Sequence, residues 1–335
     1  MVIIIGASSF IGVHTVAEFL NEGCEVLVTG RNNKFKEYYD SIGVKYVNLD
    51  LSTGEGIENL PTENVEGVIL VAGLLPANST ADLYKEENAA DYFRINVIGT
   101  INLLEYCRKN SIKRIISACS YSDVSKSWTD KYPITEEEPR NFSFKGDHCV
   151  YVISKNAAND ILEYYNQQHG MKNASFRFPP VYGAGPHGTL MVNGKLYKSG
   201  IQIFIENATE GKDICVYGDK DVARDVVYVK DVARAFYQAM FSNNTSGLYN
   251  ITSGKTTTLD EQAHVIADVF KADDNSLSKV RYKPDVINNN VSYLFSIEKA
   301  KNDFGYNPQY ADFRTMMSDM KKDMDNNLYR DLFKY

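Results

Sequence analysis

The chain opens on five residues, MVIII, and apolar runs then alternate with amphipathic stretches. A helical pattern over Ile11 to Leu20 is followed by CEVLVTG, KYVNLDL and GVILVAG. Next come a helical pattern near Ala90 to Asn110, the run RIISACS, another helical pattern from about Tyr151 to His169, and ASFRF. Short apolar runs separated by helices predict an α/β fold, a parallel sheet with both faces covered. After Tyr182 this beat gives way to a Gly-rich stretch, GAGPHGTLMVNGK, and shorter elements. DVVYVKDVARAFYQAM then reads as strand and helix, and GLYNIT as a strand. The pattern predicts a first domain over 1–183 to which the chain returns at about 213–253. A smaller C-terminal α/β lobe is expected over 184–212 and 254–335. In a doubly wound sheet of this kind ligands sit at the carboxyl edge of the strands, here between the two parts.

The turn after the first strand, Gly6-Ala7-Ser8-Ser9-Phe10-Ile11-Gly12, has glycines at both ends and Ser9 where a Rossmann-type loop carries a middle glycine. Backbone N–H groups at such a helix N-terminus can hold a pyrophosphate, yet the loop alone reads equally as a tight turn. The second strand ends in Gly30 and Arg31, where an acidic side chain would bind the ribose 2′-hydroxyl of NAD. A guanidinium in its place leans toward NADP, although Arg31 also reads as a solvated loop charge.

Composition narrows the partners. The 335 residues are 44% hydrophobic, enough for a sizeable core, and the net charge of -7 comes without basic clusters. Nucleic-acid and membrane-surface partners are therefore not expected, and any phosphate must be held by local donors. No run is long enough to span a bilayer and no basic leader precedes the first strand. Five scattered cysteines, Cys24, Cys107, Cys119, Cys149 and Cys215, have no paired metal-ligand spacing and fit a reducing cytoplasm.

The candidate chemistry lies in YVISK. Tyr151 and Lys155 are four residues apart and share a helix face, and of the 23 tyrosines only Tyr151 has Lys at this spacing. A phenol is a poor base at neutral pH; lowering its pKa by about three units takes about 4 kcal/mol. An ammonium at about 5 Å, at an effective dielectric of about 20, supplies roughly 3 kcal/mol of that. Ser120, ending RIISACS, stands where its hydroxyl can reach the same substrate oxygen. His187, in GAGPHG, reads as a loop histidine.

Taken together, Gly6 to Gly12, Asn96-Val97-Ile98-Gly99-Thr100, Ser120, Tyr151 with Lys155, Val181-Tyr182-Gly183, RDVVYVKDVA and SIEKAKNDFGYNP resemble the extended short-chain dehydrogenase/reductases, the nucleotide-sugar epimerase and dehydratase family. The resemblance implies Ser120, Tyr151 and Lys155 as the catalytic set, with Lys155 also on the nicotinamide ribose. It implies a cofactor held by Gly6, Ser9, Phe10, Ile11 and Gly12, beside the Arg31 read above, with Asp50 and Leu51 at the adenine. Ala72 and Gly73 would line the cleft, Asn96 would buttress the active-site helix, and Pro179 would lie against the nicotinamide. On the substrate side it implies Cys215 and Tyr217 beside a nucleobase and Arg224 on a diphosphate. Family dimers pair helices like those near 90–110 and 151–169, so a homodimer is expected.

Some positions depart from the family. Pro180 replaces an asparagine that bonds the sugar diphosphate, and INNNVSY stands where a second diphosphate arginine is often found. Tyr121 and Ser122 replace the Asp-Glu pair with which dehydratases expel water, and Asp123 falls on the wrong side of an extended strand to replace it. The leading expectation is an NAD(P)-dependent nucleotide-sugar 4-epimerase using transient C4 oxidation. An NADPH-dependent reductase of a keto sugar is the alternative; a non-catalytic nicotinamide-binding regulator is a reading of another class.

Overall fold

The computed structural model describes residues 1–76, 88–146, 148–186, 188–192, 195–273, 276–288 and 290–333. Seven parallel strands form the main sheet: β1 (Val2–Ile5), β2 (Val26–Gly30), β3 (Lys45–Asn48), β4 (Gly67–Leu70), β5 (Ile115–Ser120), β6 (Ala174–Phe178) and β7 (Gly247–Asn250). Their order is β7-β6-β5-β4-β1-β2-β3, so the winding reverses between β1 and β4. This is the Rossmann-like α/β fold that the run of short apolar segments predicts. β1 shows why those segments look continuously apolar. Val2 and Ile4 enter one core while Ile3 and Ile5 enter the other, all four being buried.

On the first face lie α1 (Phe10–Asn21) and α2 (Asn33–Ser41), the former packed against α5 (Val229–Phe241). Val13, Val16 and Phe19 meet Val232, Phe236 and Ala239 there. The second face is covered by α3, residues 89–109, and α4 (Cys149–His169), through Leu103, Leu104, Leu162 and Tyr165. Full burial of each such side chain stabilises the fold by roughly 1.5–3 kcal/mol. Within α3 the stretch Phe93–Ile98 is a π-helix, a wide turn carrying Asn96 inward.

A second core forms among helices Gly200–Thr209, Leu259–Val269 and Phe313–Asp325 and the parallel pair Ile214–Tyr217 with Val280–Lys283. Ile205, Val216, Ile266 and Met317 are buried in it. Among the described residues no helix is long and apolar enough to cross a membrane.

Candidate active site

At the reversal between β1 and β4, a cleft of about 300 Å³ opens at the carboxyl edge, lined by Gly6, Ser8, Ser9, Gly30, Arg31, Asp50, Leu51, Ala72, Gly73 and Leu74 among others. Its floor is a close backbone approach. Gly6 has φ +93°, and a Cβ there would lie 2.5 Å from the Ala72 nitrogen. A Cβ at Gly12 would run into the Gly6 carbonyl, and one at Gly73 would sit 3.0 Å from Asn96 Oδ1 and 3.2 Å from Lys155 Nζ. Gly6 and Gly12 thus let the first turn pack tightly against β4 and the start of α1. Ser9 caps α1, its Oγ accepting from Gly12 N–H at 3.1 Å, which leaves the hydroxyl proton free for a ligand. Ser9→Ala is therefore expected to lower stability by about 1 kcal/mol and Ser9→Gly by a few tenths, read from urea midpoints. Phe10 and Ile11 begin the same helix, and the Phe10 ring fills the space beside Gly183 and Gly185.

At the end of β2, Arg31 pairs with Asp50, beyond β3, at 3.2 Å. Burial works against ionisation of Asp50, but bonds from Ser52 and the Arg31 guanidinium outweigh it and hold its carboxyl below the usual range. Over Gly30 stand two hydroxyls that sequence patterning missed. A Cβ at Gly30 would lie 2.5 Å from Tyr46 Oη and 2.9 Å from Ser8 Oγ.

Deeper in, β5 and α4 bring Ser120, Tyr151 and Lys155 together. Tyr151 and Lys155 are 9% and 8% exposed, one turn apart on α4, and Ser120 closes β5. Burial pushes the Tyr151 phenol above its ordinary value, and the neighbouring Cys119 thiol adds to this, while a hydrogen bond from Ser120 works the other way. Lys155 donates to the Ala118 carbonyl at 2.9 Å, and burial lowers its pKa. Asn96 ties this helix to the cleft: its Oδ1 accepts from Leu74 N–H at 2.7 Å and its Nδ2 donates to Ser154 Oγ at 3.0 Å. Pro179 follows β6 at the same edge.

A second pocket, of about 460 Å³, lies against the second core. Cys215, Tyr217 and Arg224 all line it, with Ile203, Phe204, Gln262, Asn288 and Asn290. Arg224 donates to Asn290 Oδ1 at 3.3 Å; its Nε is sealed from solvent and has no partner among the described residues. The segment INNNVSY thus brings an amide to the arginine. The chain after Ser120 is a 3-10 turn, Tyr121–Ser127, not an extended strand. Asp123 turns inward to pair with Arg177, which is why it offers no acid to the site. His187 lies outside the described residues.

Residues 2–252 match the model of the NAD dependent epimerase/dehydratase family. The chain is 26% identical over a 340-residue alignment to UDP-glucuronate 4-epimerase 1 of Arabidopsis thaliana, covering 92% of this chain and 72% of the relative. The crystal structure of a Thermus thermophilus UDP-glucose 4-epimerase, in complex with NAD, superposes with a TM-score of 0.72 at 25% identity and covers 98% of this chain and 99% of its own. A dTDP-glucose 4,6-dehydratase from Bacillus anthracis in complex with NAD reaches 0.74 at 22% identity, covering 99% and 98%, so the fold is common to epimerases and dehydratases. The cleft lies at the strand reversal, and the family match spans three quarters of the sequence: the chain belongs to the NAD dependent epimerase/dehydratase family.

Proposed function

We propose that the chain interconverts the C4 epimers of a nucleoside-diphosphate sugar, with Tyr151 as the acid and base. The observation that carries this reading is the meeting of Ser120, Tyr151 and Lys155 at the carboxyl edge of the sheet. Gly6, Ser9, Phe10, Ile11, Gly12, Arg31, Asp50, Leu51, Ala72, Gly73, Asn96 and Pro179 would hold the dinucleotide, with Lys155 on its ribose. When bound, the nicotinamide supplies the two-electron acceptor and donor for the sugar carbon. Tyr151 takes the C4 hydroxyl proton and returns it to the turned-over keto sugar, and Ser120 donates to the same oxygen. In the second pocket Arg224 would hold the diphosphate, with Cys215 and Tyr217 beside the base. A regulator without turnover would have no use for a buried proton relay.

The corner at Gly30 favours a second reading, an NADPH-dependent reductase. Gly30 supplies no carboxylate, whereas Arg31 and the Ser8 hydroxyl beside it are donors suited to a 2′-phosphate. The Arg31–Asp50 pair is 66% and 31% exposed, an ion pair worth at most about 1 kcal/mol and so readily exchanged. Incubation with UDP-, GDP- and CDP-sugars separates the two. An epimerase equilibrates its sugar with no added cofactor and no net change in nicotinamide absorbance; a reductase consumes NADPH stoichiometrically. Neither outcome with any sugar overturns both readings. By calorimetric titration, Arg31→Ala is expected to weaken NADP binding about tenfold and NAD binding much less. Phe93, Ile98 and Tyr164, exposed on α3 and α4, form the face we assign to a second copy, which sedimentation at micromolar concentration tests.

A further inference from the structure

The Ser120 hydroxyl sits on a turn that is anchored from below. Ser120 caps the turn Tyr121–Ser127, its Oγ accepting from Ser122 N–H at 3.2 Å, so its own proton remains for Tyr151. Along that turn, Asp123 Oδ2 accepts from Arg177 at 2.7 Å, with the two side chains 3% and 2% exposed. Arg177 is on β6, in register with Cys119 of β5, and its other arm donates to Asn250 Oδ1 at 3.1 Å. Asn250 is itself fixed: its N–H donates to Glu136 and its Nδ2 to the Ile134 and Ser296 carbonyls. The Asp123 carbonyl accepts from Asn141 N–H at 2.8 Å, closing the turn from the other side.

This pair is a poor device for stability. Asp123 Oδ1 and Arg177 Nε are buried without a partner among the described residues, and each unmet group costs about 1–3 kcal/mol. Burying two charges adds a desolvation penalty that their attraction need not exceed. What the pair does provide is a fixed geometry for one turn. Resting on the assignment of Ser120 and Tyr151 made above, we propose that Asp123 and Arg177 are positioning residues, their buried pair holding the turn that aims the Ser120 hydroxyl at Tyr151.

The test must separate aim from stability. The groups facing Tyr151 are Ser120 and Cys119 from β5, Tyr121 from the turn and Tyr92 from α3, with Lys155 one turn along its own helix. The double variant Asp123→Leu with Arg177→Met removes one charge of each sign, so net charge near Tyr151 is kept. Its urea stability is expected to equal or exceed that of the native chain. Cofactor-loaded protein carrying Cζ-labelled tyrosine reports the Tyr151 titration by NMR, the resonance identified by its loss in Tyr151→Phe. Without the Ser120 bond Tyr151 becomes about a tenfold weaker acid, so the titration moves about one unit alkaline. Turnover then falls about tenfold with KM unchanged. Arg177→Lys, which keeps both charges but loses the two-armed hold on Asp123 and Asn250, moves the titration the same way by a smaller amount and serves if the double variant does not fold. A native Tyr151 titration in a folded variant overturns the proposal. A shifted titration in a protein that turns over no sugar leaves positioning standing and removes the functional reading instead.

Discussion

Tyr151→Phe is expected to lower turnover by about 10²–10⁴-fold, the range for losing a positioned general acid–base, while the protein stays folded and binds its cofactor. The ring remains in its small cluster with Tyr92, Val152 and Leu74, so the packing that orders this end of α4 is kept. Only the hydroxyl goes, and with it the bond to Ser120, a loss of about 1 kcal/mol. The sign of the pH dependence follows from the same contacts. Burial holds the phenol protonated in the cofactor-free protein, and Ser120 opposes that. Oxidation of the sugar needs the deprotonated form, so native turnover rises with pH until Tyr151 has titrated; the variant should lose that limb. Rates, urea midpoints and cofactor fluorescence measured together decide the matter. Turnover within a factor of ten of the native rate would remove Tyr151 from the acid–base role.

The strands of the main sheet are legible in the sequence because strands buried on both faces appear as unbroken apolar runs, as Val2–Ile5 does. The Tyr151 and Lys155 pair is legible because helical spacing is local. What the sequence does not reveal are pairings made across crossovers. Arg31 meets Asp50 after 19 residues and Asp123 meets Arg177 after 54, because parallel neighbours are joined by whole helices and no local period marks them. The same separation hides Asn290 beside Arg224 and the Tyr46 hydroxyl over Gly30. The π-turn that sets Asn96 against Leu74 and Ser154 is hidden for a different reason. One extra residue per turn barely disturbs an amphipathic pattern.

Arg224→Met is expected to weaken binding of UDP, used as a probe, by about 10²-fold, while the free protein becomes no less stable. The opposite signs are what make the experiment decisive. In the free protein the guanidinium has, among the described residues, no partner for its sealed Nε and one long bond, to Asn290, an arrangement that costs stability and that an apolar side chain of similar length relieves. A diphosphate entering the pocket supplies the missing acceptors. One or two charge-assisted bonds, about 3 kcal/mol together, correspond to a little over two decades in affinity. Arg224→Lys keeps the charge but not the planar fork, and should recover about a tenth of the native affinity. If Arg224 were merely a surface ion-pair residue, its replacement would leave UDP affinity unchanged; calorimetric titration of the native and variant proteins distinguishes the cases. Equal affinity in all three would take the diphosphate away from Arg224, and with it the argument that the second pocket receives the nucleotide end of the substrate.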